Sequence, residues 1–368
     1  MTYPVKWFTS AMPGAPRCSG TAGDLVTLLD TCLINGFNVN GVGSLVVTGG
    51  IATATFATAH GYLQHQIVLI AGSTPTALNG DKRVLTADTY TITFDATGVA
   101  DGTATGTIEC RTAPVGSWVK AFETTQKAAY KSNHPDSTGV YLRLDDTGTK
   151  YATPTCYEAM SDIDTGTASW GGTYYWWKSL TANTVANSWA LVGDGLFFFF
   201  FPIASTINDT RGVCVFGDFV PYKLASTYHA IHEAGTSASE AHHTNFALLT
   251  DNNVTSVICR GLSGAANVSC VKYGSKRSQF SGYTGEASPH PTNGGALVSY
   301  PVNIREDGGS TIGHIPGLYQ LLQPAFIANN TVDTFSDTGR LFFAIRSNAT
   351  NVASVFSQII VDLEDWRE

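Results

Sequence analysis

Residues 117–166 read SWVKAFETTQKAAYKSNHPDSTGVYLRLDDTGTKYATPTCYEAMSDIDTG. At the centre, residues 140–145 (VYLRLD) alternate apolar and polar side chains, the period of a half-buried strand. Asp145, Asp146, Thr147 and Gly148 follow, and short acids with a glycine suit a tight reversal. Residues 150–159 read as a second strand. Asp162, Ile163, Asp164, Thr165 and Gly166 then form a second acidic turn. Strand, acidic turn, strand, acidic turn predicts a β-meander.

Towards the C-terminus the chain becomes dense in aromatic residues. Residues 171–178 read GGTYYWWK, and Phe197, Phe198, Phe199, Phe200 and Phe201 are consecutive. Successive residues of a strand face opposite sides. Five phenylalanines in a row are therefore buried on both faces, or one face meets another chain. These five, with Trp7 and Phe8, are the candidates for a subunit interface. Further strands are expected at 213–222, 341–346 and 357–363, and long Gly-, Ser- and Thr-rich loops at 234–245 and 261–295.

Towards the N-terminus, residues 42–110 contain six or seven short apolar runs separated by turns, including Gly49-Gly50 and Asn79-Gly80. They predict a small sandwich or barrel. Residues 21–36 predict one helix. Thr21 is placed to cap it, Asp24 lies in its first turn, and Leu25, Leu28, Leu29, Cys32 and Leu33 share one face. Gly36 stops it. The expected fold is mainly β. An antiparallel β-sandwich or barrel body (1–41 and 111–368) carries one short N-terminal amphipathic helix and a small inserted β-domain (42–110).

Composition narrows the function. Of 368 residues only 14% are charged and 37 are Gly, which suits short strands and a surface that meets other subunits. A net charge of −8 without a basic run argues against nucleic acid as a partner. The opening MTYPVKWFTSAMPGAPR has no apolar core, so no secretory signal is expected. The longest apolar run is too short to insert in a membrane. Seven cysteines form no C-x-x-C pair, and buried thiols in a reducing cytoplasm are expected.

Chemistry-bearing residues are few. Asp145, Asp146, Asp162 and Asp164 are the clustered acids; paired catalytic carboxylates or a calcium site are the sharp readings, and turn formation the ordinary one. His229 and His232 with Glu233, Glu240, His242 and His243 invite a metal reading, but 227–231 reads as a strand, which sends His229 and His232 to opposite faces. Tyr174, Tyr175, Trp176 and Trp177 are the candidates for stacking on a sugar, against packing in a core. No nucleophile elbow or phosphate-binding glycine loop is present in the sequence. No cofactor and no turnover are expected.

A resemblance adds to this. Trp118, Lys120 and Phe122, then YLRLDDTGT at 141–149, YEAMSDIDTGT at 157–167 and FGDFVPY at 216–222 resemble a family of tailed-bacteriophage virion structural proteins. Residues 42–110 are similar to small β-modules that recur in phage structural proteins. The resemblance implies a non-catalytic tail or tail-tip component, assembled in the host bacterial cytoplasm with other virion proteins and as a homo-oligomer, a trimer or hexamer. A head decoration or collar protein, and a receptor- or glycan-binding module, are the alternatives.

Overall fold

The computed structural model describes residues 4–171, 174–205, 210–223, 228–235, 254–273, 301–307, 309–320, 330–334, 339–347 and 357–367. The protein is mainly β, built of curled, largely antiparallel sheets with one short α-helix among the described residues, a sandwich- and barrel-like body.

The expected meander is present. Trp118–Thr124, Lys127–Ser132, Tyr141–Asp145, Tyr151–Asp162 and Thr165–Trp170 pair in chain order, all antiparallel. Trp176–Trp177 returns to pair with the start of Tyr151–Asp162. The alternation in Tyr141–Asp145 buries Leu142 and Leu144 and leaves Tyr141, Arg143 and Asp145 half-buried on the outer face.

A fifteen-stranded sheet covers the inner face of the meander. At its centre Phe197–Ser205 lies between Trp189–Gly193 and Cys214–Asp218. Ala230–Gly235, Val254–Arg260, Ala266–Tyr273, Asn303–Glu306 and Thr311–His314 continue it on one side. On the other side it reaches Phe342–Ser347, Ser357–Asp362 and Leu318–Gln320. Trp7, on the strand Lys6–Thr9, sits 5.5 Å from Phe343, so the sheet curls back on itself.

This arrangement corrects the interface reading of the aromatic run. Phe197, Phe198, Phe199, Phe200 and Phe201 are all fully buried within one chain. Phe198 meets Trp118 (5.2 Å) and Trp176 (6.0 Å) of the meander layer. Phe197 and Phe199 face the other way, with Trp366 at 6.3 and 5.7 Å. Trp7 and Phe8 are buried as well, Phe8 against Phe37. A layer on each side of the strand satisfies both faces, so no second subunit is needed to cover them.

The helix is shorter than its pattern. Asp24–Leu29 is α-helical and Asp30–Asn35 continues as a π-turn before Gly36. Its apolar face is the expected one, with Leu25, Leu28, Leu29, Cys32 and Leu33 buried. Tyr130 donates to the Val26 carbonyl (3.1 Å) and to Asp30 (2.8 Å), which anchors the helix on the meander. Thr21 does not cap it: Gly23 holds the cap position at φ +86°, where a side chain is unfavourable.

The inserted module is an eight-stranded sheet with its own core, from Leu45 and Val47 through Ile92 and Phe94 to Cys110. Its strands run from Phe37–Thr48 to Glu109–Thr112, slightly beyond the expected limits of 42 and 110. Gly49 and Gly50 make the hairpin turn with positive φ, as their sequence predicts. The module is tied to the body by Lys6–Asp81 (2.8 Å) and Arg83–Glu364 (2.9 Å).

Candidate functional site

The four acids of the meander divide into two groups with different partners. Asp145 and Asp164 share cations. Arg143 donates to Asp164 (2.5 Å), to Asp145 (3.4 Å) and through Nε to the Ile163 carbonyl (2.8 Å). Lys127 adds 3.0 Å to Asp164 and 3.7 Å to Asp145. Asp145 also accepts the Thr147 amide (3.2 Å) and hydroxyl (2.7 Å), and Asp162 accepts the Asp164 amide (2.8 Å). The Arg143 bond holds the Asp164 carboxyl below its usual range, and the Asp164 amide does the same for Asp162. At Asp145 partial burial pushes the carboxyl up, but the Thr147 bonds and Arg143 outweigh it and the net shift is downward.

Asp146, one residue on, turns inward and is fully buried. Its Oδ2 accepts the Leu25 (2.8 Å) and Val26 (3.2 Å) amides, so it caps the helix from 120 residues away. Its Oδ1 meets the Lys178 ammonium, itself buried, and Lys178 also donates to the Thr21 carbonyl (2.6 Å). Desolvation raises the Asp146 carboxyl to about 6, against the pull of Lys178 and the two amides. The four acids thus do not converge on one point. Among the described residues no three His, Cys, Asp or Glu side chains are grouped to hold a metal ion.

The aromatic patch is mostly internal. Trp176 is buried, donates to the Glu233 carbonyl (3.0 Å) and stacks on His232 (5.9 Å). Trp177 is buried beside Tyr151 (5.2 Å). Only Tyr174 and Tyr175 are half-buried, so neither indole face is open to a sugar. His229 precedes the strand Ala230–Gly235 and touches Phe219, whereas His232 lies within it, fully buried. Glu233 pairs with Lys272 and Ser256 on the strand's other side. Glu240, His242 and His243 lie outside the described residues. All seven cysteines are buried thiols.

Two further acids escaped the sequence reading. Asp194 accepts the Leu196 (2.9 Å) and Phe197 (2.7 Å) amides and meets Arg367 (3.2 Å), so it fixes the turn into the phenylalanine strand. Asp218, within FGDFVPY, accepts the Thr138 amide (2.8 Å) and hydroxyl (2.5 Å). An Asp two or three residues before a strand is a turn signal; the partners Thr138 and Arg367 are too distant in sequence to be inferred.

Open clefts remain among the described residues. One of about 750 Å³ lies between the module and the body, lined by Lys6, Asp81, His134, Asp136, Asp194 and Arg367. A smaller one of about 180 Å³ is lined by Phe219, Tyr228, Arg260, Leu262, Glu306 and Ile312. There the Arg260 guanidinium lies 4.8 Å over the exposed Tyr228 ring and pairs with Glu158 (2.8 Å).

The fold and these sites define a mainly-β protein with two hydrophobic cores, whose conspicuous acids bond to their own chain. The chain matches no protein-family model, and no curated protein matches it.

Proposed function

We propose that the protein is a structural component of a tailed-phage virion, placed at the tail or tail tip, which works by assembling with other virion proteins and without turnover. It is assembled in the host bacterial cytoplasm and forms a homo-oligomer, a trimer or hexamer. One observation carries the reading. The acids of the three motifs that bear the resemblance are all engaged in holding the chain together: Asp145 and Asp164 on Arg143, Asp146 on the helix, and Asp218 on Thr138. Residues used this way serve a scaffold. Because the phenylalanine run is internal, assembly contacts belong on the outer face of the meander and on the module, where Thr55, Thr86 and Thr103 are exposed.

The test is antibody labelling of gradient-purified particles in the electron microscope, with light scattering of the isolated protein. Label on the tail, and a defined oligomer in solution, are expected. Label on the head or collar moves the protein to a decoration or collar role. Absence of the protein from purified particles refutes the proposal.

A glycan-binding module is the second reading, favoured by the exposed Tyr228 at the smaller cleft. Tyr228→Ala would then abolish binding of the particle to host polysaccharide while leaving particle assembly intact.

A further inference from the structure

The strand Ala230–Gly235 carries a histidine in an unusual place. His232 is fully buried, and neither ring nitrogen has a hydrogen-bond partner. A buried polar group without a partner is costly, and a buried charge more so. Its strand neighbours in register are Phe216 and Val257, both apolar. Above it lies a strap that joins the two sheets. Trp176 stacks on the imidazole at 5.9 Å and 26°, and Tyr174 lies at 6.1 Å. Gly171 closes over Nδ1 so tightly that a Cβ there would sit 3.1 Å from it.

The bonds that hold the strap are local, and at its start the Gly171 amide donates to Asn267 Oδ1 (2.9 Å). Tyr175 and Gly235 exchange two backbone hydrogen bonds (2.9 and 3.1 Å), and the Trp176 indole donates to the Glu233 carbonyl. Trp176 and Trp177 pair with Ala152 and Tyr151 of the meander. The strap therefore bridges the meander to the large sheet, with His232 beneath it.

We propose that His232 is an acid-sensitive latch: its protonation lifts Gly171 and residues 174–177 from the strand Ala230–Gly235 and parts the two sheets at that end. The imidazolium would carry two N–H donors, one more than the neutral ring, and neither ring nitrogen has an acceptor in reach; admitting water is the way to solvate it. The titratable and charged groups on the packed elements do not offer compensation. Cys156, near Gly171, is a buried thiol whose ionisation burial opposes. Tyr174 is a phenol. Glu158 is paired with Arg260, Glu233 with Lys272, and Asp218 with Thr138. Burial alone lowers the His232 imidazole to about 3 from its usual 6.5. The sign follows: a depressed folded-state value means that closure is favoured above pH 6.5 and is lost progressively below it. From these two values the open fraction rises about tenfold at pH 5.5 and about a hundredfold at pH 4.5. Asp146, next to the strap's end at Lys178, works in the opposite sense, since its carboxyl is raised.

The test is amide hydrogen exchange of the full chain between pH 7 and 4.5, corrected for intrinsic rates. In the wild type, Tyr175 and Gly235 should lose protection by those factors, while Ile92 and Phe94 in the module core do not. In His232→Phe the acceleration should vanish, and the Asp146 contribution, common to both proteins, remains. Equal acceleration in both proteins, or none in the wild type, overturns the proposal. If His232→Phe does not fold, 13C-histidine NMR of the wild type decides. A ring still neutral at pH 5 in the closed protein supports the latch, and a ring that titrates near 6.5 with the strap closed overturns it.

Discussion

Replacing Phe199 by Ala tests the central structural statement, that the phenylalanine run is the chain's own core. Phe199 is fully buried and has ring partners at 5.0 Å (Phe197), 5.7 Å (Phe201) and 5.7 Å (Trp366). Removing the ring forfeits about 2 kcal/mol of transfer free energy. The strand is clamped between two paired neighbours, so the void collapses little; roughly 80 Å³ at about 24 cal/mol per Å³ adds about 2 kcal/mol. Lost ring contacts add about 0.5 kcal/mol. The expected destabilisation is therefore about 4 to 5 kcal/mol, a large share of a typical stability of about 5–15 kcal/mol. The assay is urea unfolding followed by tryptophan fluorescence. All seven tryptophans (Trp7, Trp118, Trp170, Trp176, Trp177, Trp189 and Trp366) lie in the body and are buried, so the signal reports that core alone. Val185→Ala, at an exposed site, is the control and should change stability by less than about 0.5 kcal/mol. A loss below about 1 kcal/mol for Phe199→Ala, accompanied by a change in oligomer mass, would refute the reasoning and return the run to a subunit interface.

Other substitutions probe the remaining joints. Phe94→Ala, in the module's separate core, should destabilise the module by about 3 kcal/mol or more and leave the tryptophan transition in place, as judged by exchange at Ile92 against fluorescence. Asp146→Asn leaves the buried Lys178 charge uncompensated and should cost about 3 kcal/mol in urea unfolding at pH 7, whereas Asp162→Asn should cost less than about 1 kcal/mol. The Asp146 carboxyl is raised to about 6, so its proton-linked stabilisation is complete below pH 3.8 and is lost as the pH rises through 6. That segment of the pH–stability profile should disappear in Asp146→Asn. The native protein should leave all seven thiols unreactive towards a thiol-specific dye at pH 8, and all seven should react in denaturant; rapid native labelling would contradict their burial.

What the sequence disclosed was local. Period-two alternation identified Tyr141–Asp145, the Gly49-Gly50 pair identified a hairpin, and helical spacing identified the buried face from Leu25 to Leu33. The expectation that His229 and His232 would not share a face followed from the same rule, and His232 is buried within its strand. Five consecutive phenylalanines required two covered faces, but a strand's pattern does not say whether its own chain or a neighbour supplies the cover. The deciding residues, Trp118, Trp176 and Trp366, lie about 20 to 170 residues away and enter only through the tertiary fold.

The acids show most sharply where local reading ends. Asp145 and Asp146 are adjacent, carry the same kind of side chain and belong to one turn motif. One faces out to Arg143 and Lys127; the other faces in, to a helix end and a buried lysine. Asp146 follows the last residue of the strand Tyr141–Asp145, in the turn, where no period tells which way a side chain faces. Nor was it legible that the inner position would meet Leu25 and Val26, since the vacancy at that helix end arises from Gly23 lacking a side chain to cap it. The two facts are one device. A glycine at the cap position leaves the first amides of the helix open, and Asp146 then ties that end of the helix to the meander, as Tyr130 and Lys120 tie its later turn through Asp30. If so, Gly23→Asp should not rescue Asp146→Asn. The new carboxylate would start from a backbone at φ +86°, which an L-residue adopts poorly, and it would leave Lys178 still uncompensated. Recovery of wild-type urea stability in that double variant would show that the helix needs only a cap, and that the tie between Asp146 and Lys178 contributes nothing.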